Sequence, residues 1–229
     1  MGLLCSLRRG SFFKRVASWV KFNSFKNRRK SGLSHFSTDR TYTARQKPHS
    51  DTITLTYDPQ KLHAAICEAK RWQPSAVRFY TGIPISKHSP EWRRYWGNRL
   101  FAMECKGIHV TKRILKYHSE EVTFADGSTK ERFIAKEKGI DVRLALDMVR
   151  LARQNQYDVA VLFSQDQDLA EATRDIKDIA QEQERWIRLV CAFPYGPDAF
   201  PKGGVRGCHE SFKMDKAFYN KCLDTRDYR

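Results

Sequence analysis

Tyr157–Leu169, YDVAVLFSQDQDL, is the stretch whose reading decides the fold. Five apolar residues in a row, Val159–Phe163, run directly into two aspartates one residue apart, Asp166 and Asp168. A short unbroken apolar run bounded by polar residues marks a strand covered on both faces, as in the interior of a parallel sheet. Two like charges at the end of such a strand repel one another unless something offsets them. A hard divalent cation, Mg2+ or Mn2+, does this, because it prefers oxygen ligands and needs negative charge around it. A plainer use competes with that one. Asp168 stands where it would N-cap a helix beginning at Leu169, and Ser164 or Asp166 would satisfy loop amides.

Just upstream, Glu137–Gln154 reads EKGIDVRLALDMVRLARQ. Leu144, Met148 and Leu151, with Val142, Ala145, Leu146 and Val149, repeat at helical spacing and predict a helix from Asp141 to about Gln154. Asp147 lies four residues from Arg143 and three from Arg150, so it reads as a surface ion pair, with a supporting role at an acidic site as the alternative. Asp141 follows Gly139 at the helix start. It is either an N-cap or a third carboxylate that its loop carries toward the sheet edge where Asp166 emerges.

Further out the pattern alternates. Asp58-Pro59 opens a helix to Ala69, with Asp58 as N-cap and Pro59 in the first turn. Ala76–Ile83 reads as a strand. Ser89-Pro90 starts a second helix ending before Gly107, and Ile108–Tyr117 is the next strand. Glu120–Ile134 reads as a hairpin turning at Asp126-Gly127. A helix from Asp168 to about Gln183 leads to a strand at Trp186–Phe193, then a Gly/Pro-rich loop and a helix over Asp215–Leu223. Such alternation from 58 to 193 predicts an α/β fold: a Rossmann-like three-layer α/β/α sandwich with a mostly parallel sheet. In such sheets functional groups gather outside the carboxyl ends of the strands, near the point where the strand order reverses.

Charge divides the chain. The net charge is +16, but residues 1–50 hold twelve Lys or Arg against one acid, Asp39, a net of +11. Residues 1–56 therefore read as a basic segment, disordered or foreign to the domain, with the domain itself over 57–229: core 57–193, then a C-terminal loop and helix over 194–229. The six cysteines, Cys5, Cys67, Cys105, Cys191, Cys208 and Cys222, show no C-x-x-C spacing. That excludes a zinc-ribbon site and, at this length, a disulfide framework, and it fits a reduced cytoplasmic protein. No apolar run approaches the length of a membrane helix. MGLLCS satisfies the short myristoylation pattern, which chance meets often. The seven histidines show no H-x3-H or HExxH spacing, and the glycines of DAFPKGGVRG do not form a P-loop.

In EWRRYWGNRLF, Trp92, Tyr95, Trp96 and Leu100 form a helical stripe expected in the core. That leaves Arg93, Arg94 and Arg99 solvated and available to the phosphates of a single-stranded nucleic acid.

KGIDVRLALDMVRLA followed closely by YDVAVLFSQDQDL, with RFYTGIP before them, resembles the NYN-domain family, a PIN-like nuclease fold, across Tyr57–Phe193. It is similar to the bacterial single-domain members. The resemblance implies a Rossmann-like sandwich and metal-dependent cleavage of RNA, with Asp141, Asp166 and Asp168 as catalytic metal ligands, Ser164 beside them and Mg2+ or Mn2+ as the ion. It also implies a first strand ending in an IDGxN-like motif. No such motif stands in residues 1–56: Asp51 precedes the run TITLT, Asp39 lies in STDRT, and Asp58 is the next helix's cap. The expectation is therefore a domain lacking its own first strand, its vacancy open to TITLT. Two functional readings follow: a metal-dependent ribonuclease, or a catalytically weakened RNA-binding or protein-interaction module on the same fold. A third, a membrane-tethered regulator using the basic N-terminus, predicts binding to anionic lipid.

Overall fold

The computed structural model describes residues 14–22, 56–123, 129–197 and 203–229. In chain order the elements are β1 (Arg15–Phe22), β2 (Thr56–Tyr57), α1 (Pro59–Lys70), β3 (Gln73–Ile83), α2 (Pro90–Cys105), β4 (His109–Ile114), β5 (Lys116–Thr123) and β6 (Thr129–Lys136). They continue with α3 (Ile140–Arg153), β7 (Val159–Phe163), α4 (Ala170–Glu182), β8 (Arg188–Pro194), β9 (Glu210–Met214), α5 (Lys216–Lys221) and β10 (Leu223–Asp224). Six strands form one sheet in the order β4-β3-β1-β7-β8-β9, and every neighbouring pair is parallel. The chain winds outward from β1 through β3 to β4, then returns to lay down β7, β8 and β9 on β1's other side. The strand order thus reverses between β1 and β7, which is where such folds bind ligands.

The main correction to the sequence reading lies at the centre of this sheet. Residues 15–22, read there as part of a disordered or foreign segment, form β1, the strand between β3 and β7. TITLT does not fill that place, and of its residues only Thr56 falls within the described part. β1 (RVASWVKF) is hard to recognise because basic residues bracket it and a serine interrupts its apolar run. Even so, Val16 to Val20 are all buried. Val16, Ser18 and Val20 face α1, while Ala17 and Trp19 face α3. The buried Ser18 hydroxyl is satisfied by His63 Nδ1 of α1 at 2.7 Å, as a buried polar group requires. Trp19 packs edge-on against Tyr157, with ring centroids 4.9 Å apart.

Period-two alternation then builds two cores. Val159, Val161 and Phe163 of β7 join Leu62, Ile66, Trp96, Leu100 and Met103 of α1 and α2 on one face. Ala160 and Leu162 join Leu144, Met148, Leu151, Ile176 and Ile179 of α3 and α4 on the other. The three-layer sandwich expected from alternation is what forms, with all six strands parallel. β7 is buried at all five positions. Asp58 caps α1, accepting from the Gln60 and Lys61 amides, and Gly107 past α2 has φ +78°, the left-handed turn a helix-ending glycine provides. Three boundaries differ. The strand expected over Ile108–Tyr117 breaks at buried Leu115, so that β5 pairs with β6 as a separate antiparallel hairpin; its tip at Asp126-Gly127 lies outside the described residues. The helix expected from Asp168 begins instead as a single 3-10 turn, Gln167–Leu169, before α4. The stretch read as C-terminal loop and helix also contains β9, the sheet's sixth strand. Among the described residues no helix is long and apolar enough to cross a membrane.

Candidate functional site

The loop leaving β7 is built by its own side chains. Ser164 Oγ accepts the Asp166 amide at 3.1 Å, and Asp166 Oδ1 accepts the Asp168 amide at 3.2 Å. Asp166, not Asp168, therefore opens the following turn, and Asp168 is left exposed beyond it. Capping therefore falls to Asp166, one oxygen of which fixes the turn, while Asp168 does not cap. Leu169 anchors the turn in the core against α3. Because β7 adjoins β1, the acidic loop emerges at the reversal point of the sheet.

Asp141 sits in the first turn of α3, half-buried, where the positive end of the helix favours a carboxylate. Gly139 precedes it with φ +79°, and a side chain there would run into the Arg113 guanidinium 2.9 Å away. Another acidic group, which sequence reasoning passed over, lies at the same strand edge. Glu137 Oε2 accepts the Gly82 amide near the end of β3 at 2.9 Å. Gly82 is required for this, since a Cβ would meet Leu115 at 2.4 Å and Glu137 at 3.0 Å. The signal was Glu137's place four residues before Asp141, in the loop that returns the chain across the sheet.

Two other expectations need correction. Asp147 forms the expected ion pairs with Arg143 and Arg150, but it is buried, at 3% exposed, and not on the surface. Its carboxylate accepts from the buried Tyr80 hydroxyl at 2.9 Å, from Arg143 at 2.7 and 3.1 Å and from Arg150 at 3.2 Å. Burial, reinforced by Asp147, pushes the Tyr80 phenol well above its ordinary range. Asp147 is thus committed to tying α3 to β3. Arg99 is fully buried rather than solvated. It lies three residues after Trp96 and four after Tyr95, on the apolar stripe itself, where its Nη2 donates to the Tyr57 carbonyl at 2.9 Å and its guanidinium stands 5.1 Å from the Trp96 ring centroid. Arg94 is exposed and Arg93 half-buried, so of the three only Arg94 lies fully open to a phosphate.

The carboxylates are right in kind for a hard divalent ion. Their grouping falls short. Among the described residues no three His, Cys, Asp or Glu side chains gather closely enough to hold one ion, and β1 ends in Lys21-Phe22 with no acid in it.

A doubly wound α/β/α sandwich with a parallel sheet and carboxylates at its reversal point fits the architecture of a PIN-like domain. Residues 40–181 match the family model described as the NYN domain, and the chain belongs to that family. The family is one of PIN-like nucleases that generally bind RNA and depend on a divalent metal. β1 lies outside the matched range. No curated protein matches the chain. Among solved structures it is similar to a Vibrio parahaemolyticus protein of unknown function, at 13% identity and a TM-score of 0.42, covering 93% of this chain and 97% of that one. It is also similar to MurG of Acinetobacter baumannii, at 9% identity and a TM-score of 0.31, covering 87% of this chain and 45% of that one.

Proposed function

We propose that the chain hydrolyses phosphodiester bonds in single-stranded RNA, with Asp166 and Asp168 holding a Mg2+ or Mn2+ ion whose other ligands are water and the RNA phosphate, and with Asp141 as a further acidic group. The observation that carries this reading is the self-capped acidic loop at the carboxyl end of β7, beside the central strand. A bound ion would supply a more acidic water and a countercharge for the leaving oxygen. What the chain's own residues do is more limited. Ser164 Oγ holds the Asp166 backbone amide and the Asp168 amide orients the Asp166 carboxylate, α3 presents Asp141 at its positive end, and exposed cations such as Arg94 neutralise RNA phosphates.

The experiment is cleavage of a labelled single-stranded RNA with and without Mn2+, comparing the parent with Asp166→Asn. Metal-dependent cutting that falls at least about 100-fold in the variant is expected, since even indirect supports of a metal commonly cost 10- to 100-fold. A specific observation favours a second reading: β1 delivers Lys21-Phe22, without a carboxylate, to the strand end. If the parent does not cut and the variant binds RNA equally well, the chain is an RNA-binding module on a nuclease fold. Location in the cytoplasm belongs with either reading and rests on the unpaired cysteine pattern.

A further inference from the structure

The β5–β6 hairpin belongs to neither core and pairs with no other strand among the described residues. It rises from the end of β4, at the carboxyl edge of the sheet, which is also where the acidic loop leaves β7. Three strand spacings, roughly 14 Å, separate those two strand ends. An aromatic cluster forms at the base of the hairpin. His88, in the loop between β3 and α2, has its ring centroid 4.3 Å from that of Tyr117 and 4.6 Å from that of Phe133, the planes tilted by 30° and 36°. Tyr117 and Phe133 share one face of the hairpin, since Phe133 pairs with Ser119, two residues after Tyr117. His88 backs the Phe133 ring, yet the residue remains 49% exposed.

Cations surround this cluster. Lys87 adjoins His88, Lys116 opens β5 and Lys136 closes β6; all three are exposed and form no ion pair among the described residues. Lys116 and Lys136 stand directly opposite each other, where like charges destabilise a strand pair. The acids Glu120, Glu121 and Glu131 lie farther toward the tip. Arg113, also exposed, reaches from β4 to Gly139, two residues before Asp141. An open ring among such cations suits an aromatic base that carries its own phosphate. It suits a protein partner less, because lysine is depleted at protein–protein interfaces.

We propose that the hairpin base is a subsite for single-stranded RNA, in which one base stacks on Phe133 and the adjoining phosphates meet Lys87, Lys116 and Lys136. Arg113 lies on the way from this subsite to the acidic residues. The subsite rests on RNA being the substrate, as proposed above, but not on the chain cutting it.

The test therefore measures binding. A fluorescein-labelled oligouridylate of about twelve nucleotides, within the usual span of single-strand sites, is titrated with the full chain in EDTA. The same oligomer with abasic riboses serves as the comparison. Phe133→Ala should weaken binding of the oligouridylate roughly 5- to 150-fold, the range for one base stacked on an aromatic ring. Phe133→Leu should fall with it, whereas Phe133→Trp should keep the parent's affinity. On the abasic oligomer Phe133→Ala should cost nothing, which a merely loosened hairpin would not reproduce. Replacing Lys116 and Lys136 by Ala should flatten the plot of log affinity against log salt by about 1.4, two single-strand phosphate contacts. An unchanged slope would overturn those contacts, and an equal loss on the abasic oligomer would overturn the stacking. If Phe133→Ala binds oligouridylate as the parent does, the subsite alone fails and the exposed ring belongs to a protein contact. A parent that binds no RNA would overturn the subsite and the RNA reading together.

Discussion

His63 shows how much one residue's setting decides. Burial pushes its imidazole down to about 4, because a charge there would lose water, and Ser18 already occupies Nδ1. The unfolded chain takes up a proton near pH 6.5 and the folded chain only near 4. The stability tied to neutral His63 is therefore complete above pH 6.5 and is lost as the pH falls through that window, to a total of about 3 kcal/mol. Urea unfolding at pH 7 and pH 4.5 should show that fall, and His63→Gln should flatten it. An equal fall in the variant would assign the effect elsewhere. Asp58, Pro59 and Gly107 were legible in sequence because capping and left-handed turns depend on local chemistry alone. Arg99 and Asp147 were not. A charged residue reads as solvated until the whole face on which it sits is counted, and Arg99 sits within a stripe of aromatic residues.

At the scale of elements the parallel sheet and four main helices could be read from periodicity, and β7 from its unbroken apolar run. β1 escaped for a physical reason. Its eight residues include Arg15, Lys21 and Ser18, and only the sheet shows that Ser18 meets His63 and that Arg15 meets Asp158. The Arg15 amide and guanidinium reach Asp158 at 2.9 and 3.2 Å. Burial alone would raise that carboxyl, but these hydrogen bonds outweigh it and hold it below the ordinary range. β9 escaped similarly, since ESFKM is polar and only one of its five positions is buried. If β1 is the pivot of the sheet, Trp19→Ala should cost about 3–5 kcal/mol, the usual result of emptying a large buried site, and thermal melting would register it. A melting point close to the parent's would mean that β1 does not carry the core. The site was half legible. Asp166 and Asp168 stood out by sequence proximity, whereas Glu137 reaches the same edge only through the path of the loop after β6.

The first fifty residues carry +11 of the net charge of +16, although they also supply β1 to the α/β body. If RNA is the partner, that charge should appear in the salt dependence of binding. Replacing Arg28, Arg29 and Lys30 by Ala should flatten the plot of log affinity against log salt by about two, since each phosphate contact on a single strand contributes roughly 0.7 to the slope. An unchanged slope in a filter-binding titration would show that this stretch takes no part. The position of β1 has a further consequence, for the order of events during synthesis. β1 is made before either of its partners, since it pairs with β3 from Gln73 onward and with β7 only from Val159 onward; Arg15 and Asp158 are separated by 143 positions in the chain. The middle of the sheet thus cannot close until β7, from Val159 onward, has been made. Contacts so distant in sequence slow folding, and an apolar strand with both edges waiting is open to pairing with other chains. The nascent protein is therefore open to aggregation through its central strand until β7 arrives, and a chaperone that shields early strands should raise its yield.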